Sequence, residues 1–263
     1  MTTAIDWLID DGARAQAALK FKEQIQTPCE ICGGKGYIVG DEGIDYDTAA
    51  RPADWCVCRR KLSLLIRLME SGLPREFWQA EKVKVRRNKP AFAEIRRYID
   101  KMENAVKHGL GLIMLGENGV GKTTASAQIV LAAIRRNMSV LYITFPNLIH
   151  LIRKSQGDEW LAEVLADLVV RDVMIIDELG KEYKRTGSAF VDTELDRIVR
   201  NRRGDIRPTI IISNYETVDD IEDGYGKSLV SVLLSRSKPV QFAPGDYRDE
   251  QAKEFDRLLG DGE

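Results

Sequence analysis

The sequence predicts an α/β protein in which a parallel sheet is flanked by helices, with a small amino-terminal cysteine module in front of it. Three observations carry this. From about residue 92 onward, short apolar runs alternate with segments of helical period, the pattern of strands that pair in parallel beneath covering helices. One such run and one such helix bracket Gly116-Glu117-Asn118-Gly119-Val120-Gly121-Lys122-Thr123, which reads G-x-x-x-x-G-K-T, the phosphate-binding P-loop. All four cysteines fall between positions 29 and 58.

Composition sets the outer bounds. The 263 residues are 44% hydrophobic and 30% charged, enough for a folded core with a solvated surface. The net charge of −2 does not by itself point to nucleic acid. The distribution is less even. Positions 59–107 hold 14 Lys/Arg against 6 Asp/Glu, either a solvated face or a surface for phosphate backbone. No apolar run is long enough to span a membrane, and positions 1–25 lack a signal-peptide pattern. The expectation is a cytoplasmic protein with no membrane partner and no structural disulfides.

The elements follow in order. Positions 4–25 place Ile5, Leu8, Ile9, Ala13, Ala17 and Phe21 near helical spacing, an amphipathic helix that packs on its own domain or docks on a partner. Cys29-Glu30-Ile31-Cys32 and Cys56-Val57-Cys58 follow. Two close pairs across a loop are what tetrahedral thiolate coordination of Zn²⁺ requires. A redox dithiol or buried free thiols are the alternatives. Positions 41–52 show no period and read as a loop. Leu62, Leu65, Ile66, Leu68 and Met69 predict a helix over 59–71, stopped at Gly72-Leu73-Pro74. The expected domains are 1–75, a zinc-binding module, and 76–263, the sheet domain. Asn88-Lys89-Pro90 is a turn, and Ile95, Ile99, Met102 and Val106 predict one helix over 92–108.

Leu112-Ile113-Met114-Leu115 is the strand before the P-loop, and Ile129, Val130, Ala133 and Ile134 mark the helix after it. Gly116, Asn118, Gly119, Val120, Gly121, Lys122, Thr123 and Thr124 form the candidate phosphate cradle. Loop N–H groups and the helix N-terminus favour negative charge. Lys122 is placed for the β- and γ-phosphates of ATP, and the Thr123 hydroxyl for Mg²⁺. A second strand is expected over 139–144, with helices over 146–154 and 158–170. Val173-Met174-Ile175-Ile176 then delivers Asp177-Glu178 at a strand end, 55 residues after Lys122. Asp177 is the candidate Mg²⁺ ligand through water, and Glu178 the base that polarises an attacking water. A helix over 191–203 turns Leu195, Ile198 and Val199 inward and Arg197, Arg200, Arg202 and Arg203 outward. Asn214 ends the strand Thr209-Ile210-Ile211-Ile212-Ser213, either to orient water against the γ-phosphate or simply to start a turn. A short helix over 228–234, a last strand over 239–242 and a terminal helix over 249–259 complete the expectation.

Together GENGVGKT from Gly116, VMIIDELG from Val173, IIISN from Ile210 and GDYR from Gly245 resemble the AAA+ ATPases of the DnaC/DnaI helicase-loader and IstB transposition-ATPase group. The similarity extends over 72–248, with Gly72-Leu73-Pro74-Arg75-Glu76-Phe77 and Leu141-Tyr142-Ile143-Thr144 also alike. It implies a Walker A motif at Lys122 and Thr123, Walker B at Asp177 and Glu178, and sensor 1 at Asn214. It implies for Arg248 a sensor-2-like or intersubunit contact. The group usually carries Ser-Arg-Leu before its last strand, where this chain has Ser231-Val232-Leu233, so the arginine finger falls to Arg236 or Arg248. Hydrolysis is then expected to be weak and stimulated by DNA or oligomerisation. The cysteine module resembles that of DnaI-like and phage-encoded loaders and implies a hexameric replicative helicase as partner, with single-stranded DNA met by Arg197, Arg200 and Arg202. Self-association into an oligomer or filament is implied too. The alternatives are an ATPase that recruits a transposase to duplex DNA, and an ATP-binding inhibitor of the helicase.

Overall fold

The structure, a computed structural model, describes residues 11–25, 29–33, 35, 56–82, 89–180 and 189–243. They fall into two compact units, 1–73 and 74–263. Positions 4–10, the 41–52 loop, Arg248 and the 249–259 helix lie outside the described residues.

The first unit pairs helix α1 (Asp11–Ile25) with helix α2 (Val57–Glu70). Phe21 and Ile25 are half-buried while Leu19 stays exposed. Cys29 to Gly33 form a tight turn closed by the Gly33 amide donating to Cys29 O at 2.9 Å. Gly33 adopts φ +57°, a conformation that costs glycine little. Cys56 caps α2 from an extended backbone. At the other end of α2 the Ser71 hydroxyl donates to Leu68 O and accepts from the Leu73 amide, so the chain leaves through a satisfied turn.

The second unit is a five-stranded sheet in the order β2-β3-β4-β1-β5, parallel throughout. Its strands are β1 (Gly111–Leu115), β2 (Val140–Thr144), β3 (Val173–Leu179), β4 (Thr209–Ser213) and β5 (Ser237–Gln241). Strands β1 and β4 are buried at every position, as a sheet covered on both faces requires. The helices are α3 (Lys89–Asp100), α4 (Met102–Lys107), α5 (Lys122–Arg135), α6 (Phe145–Ser155), α7 (Glu159–Val169), α8 (Ala189–Gly204), α9 (Val218–Tyr225) and α10 (Lys227–Leu234). Ile129, Val130, Ala133 and Ile134 of α5 are all buried.

Four expectations shift. The turn expected at Asn88-Lys89-Pro90 gives way to helix, because α3 already begins at Lys89 and holds Pro90 in its first turn, where a proline is tolerated. The helix expected over 92–108 is two helices, because Lys101 leaves the helical region at φ −110°, ψ 23°. Helix α9 is an addition to the expected elements. Its signal lies in Thr217-Val218-Asp219-Asp220, a capping box in which the Thr217 hydroxyl oxygen accepts from the Asp220 amide at 3.1 Å and the Asp220 carboxylate accepts from the Thr217 amide at 2.9 Å. The last strand begins two residues earlier than expected, at Ser237.

Ahead of the sheet, residues 75–82 form two short 3₁₀ turns, Arg75–Phe77 and Ala80–Lys82. The second docks on α5. Gln128 Nε2 donates to Ala80 O at 3.2 Å, and Arg135 pairs with Glu81. Part of the basic 59–107 stretch therefore supports the helix that carries the P-loop.

Candidate functional site

The candidate site lies at the carboxyl ends of β1, β3 and β4. Parallel sheets place their ligand crevices there because each strand hands over to a helix on the same edge. The P-loop begins at Gly116, whose amide donates to Tyr215 O at 3.0 Å, while the nearby Phe242 amide donates to Leu115 O at 2.9 Å. The loop is thus tied to the segments that follow β4 and β5. Gly116 has φ +135°, and a Cβ there would come within 2.5 Å of Phe242 O. Only glycine fits. Gly119 and Gly121 also take positive φ, and Gly121 is the N-cap of α5. Glu117 and Asn118 are exposed, Gly119, Gly121, Thr123 and Thr124 half-buried, and Val120 buried.

Lys122 is buried, and its ammonium donates to Gly116 O at 2.6 Å and Glu117 O at 2.7 Å. Burial pulls its pKa down to about 8, against the attraction of Asp177 and Glu117. The Thr123 hydroxyl donates to Asp177 Oδ2 at 3.0 Å. Asp177, 3% exposed, also accepts from the Tyr142 hydroxyl at 2.6 Å and from the Glu178 amide at 2.6 Å. Burial raises its pKa, and these donors oppose the rise. The structure therefore brings Lys122, Thr123 and Asp177 together across 54 or more positions of sequence. One alcohol and one carboxylate facing each other form an oxygen donor set that fits Mg²⁺ completed by water and phosphate.

Glu178 stands beside them with its side chain exposed and its backbone at φ +61°. The β3–β4 register accounts for this. Ile176 pairs with Ile211 but Leu179 with Ser213, so β3 carries one extra residue and bulges. The bulge buries Asp177 and turns Glu178 out. Asn214 follows β4 directly, half-buried, with its Cβ 3.8 Å from where a Gly180 Cβ would lie.

Arg236 precedes β5 at the opposite edge of the sheet. Its carbonyl accepts from the Gly111 amide at 2.8 Å and its Nη1 donates to His108 O at 2.7 Å. A full strand length separates it from its own P-loop. Val232 is buried in α10.

The surface arginines of α8 need a correction. Arg202 does not point outward. It is 2% exposed, donates to Thr209 Oγ1, Val169 O, Arg171 O and Pro208 O, and burial lowers its pKa to about 10. Helical geometry is the reason, because position 202 shares a face with 195, 198 and 199. Arg197 and Arg200 are exposed but paired with Glu194 at 2.7 Å and Asp196 at 2.5 Å on their own helix.

In the first unit, Cys29, Cys32, Cys56 and Cys58 place their sulfurs within 4.8 Å of one another. Cys29 and Cys56 stand 3.7 Å apart and Cys32 and Cys58 3.4 Å. A tetrahedral thiolate site with bonds of about 2.3 Å has sulfurs roughly 3.8 Å apart, so the cluster fits a metal ion. Burial first, then the neighbouring thiols, push Cys58 up to about 12. A cation in the cluster would reverse that.

The sheet order, with the P-loop after β1, the acidic pair on β3 and a polar residue after β4, is a P-loop AAA+ arrangement. The IstB-like ATP binding protein family matches residues 95–234, more than half of the chain. The chain belongs to this family. Its curated relatives include an ATP-binding protein of insertion sequence IS5376 from Geobacillus stearothermophilus, 31% identical over 117 residues, 44% of this chain and 42% of that protein. The replicative helicase loader DnaI of Bacillus subtilis (strain 168) is 27% identical over 115 residues, 44% of this chain and 36% of that one. The chain therefore spans less than half the length of these relatives. Among solved structures, the DnaC helicase loader superposes with a TM-score of 0.57 at 20% identity, covering 65% of this chain and all of that one. DnaI gives 0.53 at 23%, covering 66% and 93%. Replication initiator DnaA bound to AMPPCP and single-stranded DNA gives 0.56 at 16%, covering 71% and 56%. These likenesses establish the fold of this IstB-like chain.

Proposed function

We propose that this IstB/DnaC-family protein is an ATP-dependent loader that binds a hexameric replicative helicase and helps place it on single-stranded DNA. The observation that carries the reading is the joint presence of an ATP-type site and a four-cysteine cluster, the combination implied by DnaI-like loaders and not by the transposition ATPases. Zn²⁺ is the metal we assign to Cys29, Cys32, Cys56 and Cys58, in a structural role, since four thiolates would fill a tetrahedral site and leave no open position.

At the ATP site the P-loop amides and the α5 N-terminus hold the phosphates. Lys122 exchanges its bonds to Gly116 O and Glu117 O for phosphate oxygens. Thr123 and Asp177 hold Mg²⁺, which when bound neutralises charge developing on the phosphate oxygens. Glu178, exposed beside Asp177, takes the proton of the attacking water, and Asn214 orients that water. Arg236, a strand length from its own P-loop, is assigned to the site of a neighbouring copy. It or Arg248 then completes the site on self-association, and hydrolysis is slow without it. Arg197 and Arg200 remain DNA candidates only if they leave their acidic partners, and the buried Arg202 is not one.

A second reading has specific support. The insertion-sequence relatives, including one from Pseudomonas fluorescens 35% identical over 102 residues, favour a transposition-type ATPase on duplex DNA. Size exclusion with light scattering on the protein mixed with a hexameric replicative helicase, with and without ATP, tests the choice. The loader reading expects a stable complex that is lost when Cys29 and Cys32 are replaced. Absence of a complex, with ATP-dependent assembly on duplex DNA, overturns it in favour of transposition. A stable complex in which ATP turnover stays negligible and loading fails identifies the inhibitor.

A further inference from the structure

Asp177 is held from a strand that neither metal-site motif contains. Tyr142 lies in the middle of β2, opposite Ile175 of β3. Its hydroxyl donates to Asp177 Oδ2 at 2.6 Å, the oxygen that also accepts from the Thr123 hydroxyl at 3.0 Å. The Glu178 amide occupies Oδ1 at 2.6 Å. Both oxygens of a carboxylate 3% exposed are thus engaged, and Tyr142 itself is 4% exposed. A phenylalanine would fill the same space without bringing a hydroxyl into the core, where an unused polar group is costly. The hydroxyl is used once, and on the carboxylate.

We propose that Tyr142 is a positioning residue of the Mg²⁺–nucleotide site, fixing the Asp177 carboxylate before the metal arrives. The inference rests on the reading of this site as one for Mg²⁺ and ATP. Thr123 cannot do the work alone. Its single proton can hold Oδ2, but its oxygen has to serve the metal as well, so it moves with the metal's coordination. Tyr142 approaches from β2 and has no second duty. With the Glu178 amide on Oδ1, the tyrosine on Oδ2 completes the pair of bonds that sets the rotation of the carboxylate about its last bond. Without it, Oδ2 is left to a threonine that also has to coordinate the ion.

The test is fluorescent ADP binding to the full chain, first in EDTA and then with rising Mg²⁺. Tyr142→Phe is expected to keep its affinity in EDTA within about twofold of wild type. Its half-saturating Mg²⁺ concentration is expected to rise about ten- to a hundredfold, the range for losing a hydrogen bond to a charged group. Tyr98→Phe is the control. It removes another buried hydroxyl, which donates to Leu110 O at 2.8 Å at the far edge of the sheet, and is expected to cost stability without moving the Mg²⁺ midpoint. An unchanged midpoint in folded Tyr142→Phe overturns the proposal. So does an equal shift in Tyr98→Phe, or a Tyr142→Phe protein that unfolds where Tyr98→Phe does not. If wild type shows no Mg²⁺-dependent nucleotide binding, the site reading itself falls and takes the inference with it.

Discussion

Lys122 and Arg202 are both buried cations, and they differ in what surrounds them. Lys122 rests on two loop carbonyls that a phosphate can displace. Burial brings its pKa to about 8, and a bound polyphosphate favours the ammonium. Nucleotide affinity should therefore weaken as pH rises above about 8, because binding then requires a proton. Fluorescent-nucleotide titrations from pH 7 to 9.5 should show that fall in wild type and a flat profile in Lys122→Arg. The stability of the empty protein moves the other way. Below pH 8 folded and unfolded chains both hold the proton, and above it the unfolded chain binds more, so stability rises toward about pH 10.4. Arg202, by contrast, satisfies three backbone carbonyls and the Thr209 hydroxyl. Arg202→Ala should cost about 3 kcal/mol in denaturant unfolding and leave DNA affinity per folded molecule unchanged. The sequence contains the clue, since 195, 198, 199 and 202 share a helix face. At that position charge argues for the surface and period for the core, and period decides which side of a helix is buried.

At the scale of the element, β3 does two things that an ordinary strand cannot. Alternation would place Asp177 and Glu178 on opposite faces of the sheet. The extra residue instead keeps Asp177 buried and turns Glu178 to solvent at the strand end. The cost is a left-handed glutamate at φ +61°, worth about 1–2 kcal/mol. Glu178→Gly should recover part of that, raising stability by about 0.5–1 kcal/mol, while ATP turnover drops about a hundredfold or more with the loss of the proposed base. Calorimetry and a phosphate-release assay on one sample would separate the two effects. A Glu178→Gly protein less stable than wild type would mean that the bulge is held by the glutamate side chain. Nothing in Ile175-Ile176-Asp177-Glu178-Leu179 announces the bulge, because it is created by pairing with β4.

At the scale of the whole molecule, each of the two units has its own core: the cysteine cluster with Ile25 in one, and the covered sheet in the other. Among the described residues few apolar side chains pack on the cysteines, so a metal ion bound there would supply much of the folding free energy of the first unit. Heating should give two transitions, of which a strong chelator lowers only the one belonging to the first unit, leaving nucleotide affinity within about twofold; a chelator that abolishes nucleotide binding would contradict it. Much of this molecule is legible in its amino-acid sequence. Apolar runs, helical periods, the P-loop spacing and the paired cysteines are local patterns, each constrained within a few residues by backbone geometry or ligand chemistry. They are enough for the fold class and for Lys122, Thr123, Asp177 and the four cysteines. What folding alone decides is what depends on contacts between distant strands and helices: the order β2-β3-β4-β1-β5, the bulge that exposes Glu178, the arginine under α8, and the Tyr142 hydroxyl on Asp177. Those follow from which surfaces meet, and a linear pattern carries no distance between positions 35 residues apart.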